Sequence, residues 1–200
     1  MANTSWHDTT DGGQDVLQRS LILRESDTNN QRSYNTKLLP ELLQTHDYAR
    51  AFFDRCSAVM AMTDDSEELA LARLQRQTVL DMPGYDFHML IDEAALRVTV
   101  GSSEVMTTQI RHLMNILTAR AHVRIGIIAL NAEFLSPADS FDFGYATDSD
   151  DKRITDPFED ADVVELVERT FDLLATTAVY GEEAHAILVR ALASHTESGI

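Results

Sequence analysis

Cysteine occurs once in this chain, at Cys56, so no disulfide can close within it and no thiolate-based zinc site can form. The thiol lies in FFDRCSAVM at helical spacing from Phe52 and Phe53, and is expected to be a buried apolar filler. Lysine occurs only at Lys37 and Lys152, neither in an apolar run, which argues against Schiff-base chemistry. The seven histidines form no H-x-H or H-x-x-x-H pair, so no zinc or iron centre is expected. There is no G-x-G-x-x-G, P-loop, G-x-S-x-G or H-E-x-x-H. No cofactor is implied, and any catalysis would rest on proton transfer and substrate positioning.

Basic residues are scarce as well. Sixteen Lys and Arg face 33 Asp and Glu, for a formal charge of -17. Such a surface repels phosphate, so neither nucleic acid nor an anionic membrane is an expected partner. No apolar run approaches the ~20 residues of a membrane helix. The first 15 residues have neither the basic nor the apolar region of a signal peptide, so a cytoplasmic location is expected.

What is present suffices for a core: 44% of the residues are hydrophobic. Residues 1–19 read as a flexible polar tail, 20–195 as one domain and 196–200 as a second tail. Residues 16–36 read as a strand or extended entry segment around Leu21-Ile22-Leu23. Pro40 suits the first turn of a short helix. Apolar spacing predicts an amphipathic helix after His46, and a second one capped at Thr63-Asp64-Asp65 running to about Leu80. Strands are expected at 85–91 and 123–130, with a strong helix between them after Gly101. A half-exposed antiparallel strand is expected at 140–145, one more short strand near Ile154 within an acidic loop, and two C-terminal helices. The strands do not look like a regular βαβ alternation. The predicted class is α+β: a small, mostly antiparallel sheet packed with five to six helices.

Several acids sit against apolar neighbours. Asp92 and Glu93 follow an apolar strand, Glu133 follows another, and Asp142 lies between Phe141 and Phe143. A carboxyl aimed into a cavity would gain proton affinity by desolvation and serve as acid or base. Asp142 on an antiparallel strand can equally face water. Arg73 and Arg76 share a helix face, and pairing of one of them with Glu93 is expected. The plain reading is a scaffold ion-pair network. The functional reading is an arginine that receives a substrate anion beside a carboxylate base. If its strand alternates, His88 faces away from Phe87 and Met89.

Four stretches together resemble a known family: LLPELLQTHDYARAFF (38–53), LARLQRQTVL (71–80), IDEAALRVTVGSSEVMTTQI (91–110) and FDLLATTAV (171–179). They carry P-x-L-L-Q-T-x-x-Y-A-R, R-x-x-R-Q and D-E-x-x-L in order. The chain is similar to the sensor-like domain that follows an Xre-type helix-turn-helix in actinobacterial WhiJ-type, antitoxin-like regulators. Two features depart from that pattern. The 19 polar residues before position 20 cannot hold a helix-turn-helix, and residues 133–165 carry 11 acids against Lys152 and Arg153. The resemblance implies a retained ligand-binding domain. One expectation is therefore a cofactor-free enzyme of actinobacterial secondary metabolism, with Pictet–Spengler closure of an indole amine and an aldehyde as the concrete example. Its catalytic acids would come from Glu93, Asp92, Glu133 and Asp142, and its aromatic amine would meet Arg73, Arg76, His88, Tyr48 and Phe141. The other expectation is a non-DNA-binding, metabolite-sensing partner of a helix-turn-helix regulator. A homodimer is compatible with both.

Overall fold

Two apolar runs, FHMLI (87–91) and VRIGII (123–128), form adjacent strands. A computed structural model describes residues 29–61, 64–135, 140–145 and 161–197. In it β1 (Asn30–Asn35), β2 (Asp86–Asp92), β3 (Val123–Ile128) and β4 (Phe141–Tyr145) form one sheet in the order β3-β2-β1-β4. β1 pairs parallel to β2 and β2 parallel to β3, while β4 runs antiparallel to β1. The register places Arg32, His88 and Arg124 in one row, and Phe141, Tyr34, Leu90 and Gly126 in the next on the same face.

Helices make the parallel crossovers. α1 (His46–Met60) and α2 (Ser66–Arg76) lie between β1 and β2, and α3 (Ser103–Ala119) lies between β2 and β3. Thr45 caps α1 by accepting the Tyr48 N–H at 3.4 Å, and Ser102 caps α3 by accepting the Val105 N–H at 3.3 Å. Just before that cap, Gly101 has φ +72° and passes so close to α1 that a Cβ there would lie 2.8 Å from the Cβ of Ala51. α4 (Ala161–Ala175) and α5 (Gly181–Glu197) follow β4.

The two faces of the sheet bury different cores. Phe87, Met89, Ile91, Val123, Ile125 and Ile127 pack with α3, α5 and the Leu39–Leu43 segment. Tyr34, Leu90 and Phe143 pack with Phe171 and Leu174 of α4. The outer edge of β3 is closed by Val179, which exchanges two 2.9 Å backbone hydrogen bonds with Ile127 and so leaves that position no free edge.

The α+β class and, among the described residues, the five α-helices agree with the sequence reading, but the strand pairing does not. Two of the three pairings are parallel, and β1, β2 and β3 do alternate with helices. The reason lies in burial. Parallel strands covered on both faces read as unbroken apolar runs, not as an alternation. Leu21–Leu23, Thr63 and the strand near Ile154 lie outside the described residues; of the predicted Thr63-Asp64-Asp65 cap, Asp64 accepts the Ser66 N–H at 3.2 Å at the start of α2.

Candidate functional site

The carboxyl ends of β1 and β2 meet the start of β4, the region where ligands bind in sheets with parallel strands. Asp92 is the last residue of β2 and shares a face with Tyr34 and Phe141. The Tyr34 hydroxyl donates to Asp92 Oδ2 at 3.1 Å, and the Tyr34 and Phe141 rings lie 5.6 Å apart. Burial pushes the Asp92 carboxyl above its ordinary pKa, against the opposing effect of the Tyr34 hydrogen bond. Tyr34 is pushed up in turn, by burial and by the adjacent carboxylate. Asp92 thus combines partial exposure, aromatic neighbours and enhanced proton affinity.

Glu93, the next residue, has another task. Its carboxylate takes a 2.7 Å bond from Arg97 and a 3.2 Å bond from the backbone N–H of Leu130. Burial raises its pKa, but these two donors and the Arg97 charge together hold it below the ordinary value. It ties the exit of β2 to the exit of β3. The expected pairing of Glu93 with Arg73 or Arg76 is therefore replaced by one within its own turn, at i,i+4.

Arg73 and Arg76 bracket Glu41 instead, at 2.9 and 2.8 Å. Burial works against the Glu41 charge, but the two guanidiniums hold its carboxyl below the usual range. Arg73 also donates to Gln44 Oε1 at 2.7 Å, and Gln77 donates to the Gln44 carbonyl at 2.6 Å. The P-x-L-L-Q-T and R-x-x-R-Q motifs thus interlock as scaffold, and both arginines are buried away from Asp92. Tyr48 is wholly buried beneath this network, where its hydroxyl accepts the Leu39 N–H at 3.3 Å and burial pushes it up to about 12. It has no surface to offer a ligand. Glu133 and Asp142 are both exposed; Asp142 lies in register with Ser33, on the face opposite Asp92. Of the predicted residues, only Asp92 and Phe141 meet at this site.

His88 lies two rows from Asp92 on the same face and opposite Phe87 and Met89, as strand alternation requires. Its Nε2 is 2.9 Å from the Tyr180 hydroxyl, and Phe171 presents an edge-to-face contact at 4.9 Å. Gly126 makes this possible, since a Cβ there would stand 2.7 Å from the Tyr180 ring. Burial first, then the charges of Arg124 and Arg32, lower His88 to about 4. Among the described residues, no group of three or more His, Cys, Asp or Glu could hold a metal ion.

Sequence reasoning missed Tyr34, Glu41, Arg97 and Tyr180. Arg97 alone had a local signal, its i,i+4 spacing from Glu93. Two cavities bounded by described residues lie elsewhere, one beside α1 and one between Leu117 of α3 and His185 of α5. Cys56 half-faces the first and is not a fully buried filler. No helix is long and apolar enough to cross a membrane among the described residues. No curated protein and no solved structure matches the chain. One family model spans nearly all of the elements that frame Asp92, from residue 18 to residue 190, and on that match the chain belongs to the family of the domain of unknown function DUF5753.

Proposed function

We propose that this protein is a cofactor-independent acid–base enzyme acting on a small aromatic amine, with Asp92 as the proton-transferring group. The observation that carries this reading is the half-buried Asp92 carboxyl, raised in proton affinity and bonded to the Tyr34 hydroxyl beside Phe141. A carboxylate so placed attracts an ammonium or iminium and removes a proton more readily than a solvated one. Pictet–Spengler closure is the example to test. Amine and aldehyde lose water to form an iminium, a ring carbon attacks it, and a base takes the ring proton.

The test is turnover of tryptophan-like amines with a panel of aldehydes by dialysed, metal-free protein. Asp92→Asn should lower turnover by ~10²–10⁴-fold with the fold intact. Glu133→Gln and Asp142→Asn should leave it unchanged, because both side chains face solvent. Full activity in Asp92→Asn removes Asp92 from the chemistry, and no turnover across the panel removes the cyclisation example.

One observation favours a second reading, a metabolite-sensing partner of a helix-turn-helix regulator. Leu166 and Leu173, seven residues apart on α4, are 63% and 45% exposed on one side of the helix. On that reading Leu166→Glu would abolish association with such a regulator, and the enzyme reading predicts that it leaves amine turnover untouched.

A further inference from the structure

A groove of about 630 Å³, which Asp92 does not line, is bordered by α1 and the strap 98–101. It adjoins the core on the opposite side of the sheet from the Tyr34–Phe171 cluster. Its apolar walls are Leu38, Phe52, Val98 and Val100, and its polar end carries Arg55 and Cys56. The volume suits a small ligand. Gly101, which also lines the groove, lets the strap approach α1 more closely than any side chain would allow.

The charge behind these walls selects the ligand. The Arg73 guanidinium, with the residue only 2% exposed, lies 5.3 Å from the Phe52 ring and 4.4 Å from the Phe53 ring. Its Nε–H is a buried donor with no hydrogen-bond partner among the described residues. Its charge reaches the groove, where it opposes the effect of burial on the Cys56 thiol. Arg55 is exposed at the rim and makes no ion pair among the described residues. Asp54, its neighbour in sequence, also borders the groove and is exposed to solvent. Arg55 is thus the cation among the residues that line the groove, and Arg73, bonded to Glu41, lies behind its Phe52 wall.

We infer that this groove is a second ligand site, which takes a small carboxylic acid with a flexible apolar body. The aliphatic part lies along Leu38, Phe52, Val98 and Val100. The carboxylate lies at the Arg55–Cys56 end, in the field of Arg73. This assignment is independent of the chemistry proposed at Asp92.

The only cysteine reports on occupancy, because a thiol reagent can modify no other residue of its kind. Octanoate is the probe and 1-octanol its neutral counterpart. Octanoate should slow modification of Cys56 saturably, and octanol should bind about tenfold more weakly or worse, the loss of a charge-assisted contact. Arg55→Gln should weaken octanoate by about the same factor and leave octanol unchanged. Val98→Asp, at a 43% exposed position, should weaken both. Melting curves of the two variants show that the fold is retained, and Arg55→Gln alone carries the test if Val98→Asp unfolds. Absence of saturable protection, equal protection by octanol, or indifference of octanoate to Arg55→Gln would each overturn the assignment.

Discussion

His88 illustrates how a single side chain is governed by residues far from it in sequence. Its cross-strand neighbours are Arg32 and Arg124, its ring meets Phe171 at 4.9 Å, and its Nε2 meets Tyr180 at 2.9 Å. Asp172, which pairs with Arg32 at 3.0 Å, is a nearby charge that favours protonation, but it is outweighed. The net result is a neutral imidazole whose pKa falls from 6.5 to about 4 on folding. Between those values the unfolded chain binds a proton that the folded chain does not. The contribution of His88 to stability is therefore whole above pH 6.5, declines as the pH falls, and is gone by about pH 4. Titration of its ring by NMR should show no protonation at pH 5.5. A midpoint near 6.5 would contradict the buried Tyr180 contact.

At the scale of elements, the segment Glu41–Leu43 is a three-residue 3₁₀ turn with little stability of its own. It is pinned to α2 because Glu41 receives Arg73 and Arg76 together, and Gln44 and Gln77 complete the network. On the other side, Gln109 of α3 bonds the Thr45 N–H at 2.6 Å and the Leu43 carbonyl at 2.7 Å. Glu41→Gln removes the carboxylate charge that Arg73 and Arg76 share. For Arg73, whose side chain is 3% exposed, the loss should cost about 3 kcal/mol, the lower end for breaking a buried pair, because Glu41 itself keeps 41% side-chain exposure. Urea denaturation checks this, and a loss under about 1 kcal/mol would mean the network is a surface feature. The helices themselves were legible: the apolar spacing of α1, α3, α4 and α5 is where the pattern put it, and of the two adjacent serines that could cap α3 the structure uses Ser102. The polar network was not legible, since its partners are about 30 residues apart and no spacing rule links them.

At the scale of the whole molecule, charge dominates. With 33 acids against 16 bases, the chain presents a field that opposes a phosphate backbone. The purified protein should therefore produce no shift of duplex DNA even at low salt, where attraction would be strongest. Tight binding under those conditions would show that local basic residues outweigh the net charge.

By itself the sequence determined the charge, the α+β class and the positions of its helices and most strands, because these depend on composition and on periodicities of a few residues. It also placed Asp92 at the end of an apolar strand. Only the tertiary structure decided that the strands pair mainly in parallel, since a buried apolar run fits either pairing and the crossover chooses between them. The same holds for the site. Asp92, Glu93, Glu133 and Asp142 look alike in sequence, each an acid beside apolar neighbours. Folding gives Asp92 the Tyr34 hydroxyl from β1, gives Glu93 the Arg97 guanidinium, and keeps Glu133 and Asp142 at exposed positions. Proton affinity is set by what a carboxyl faces, and that is fixed by contacts across the sheet, which no local pattern records.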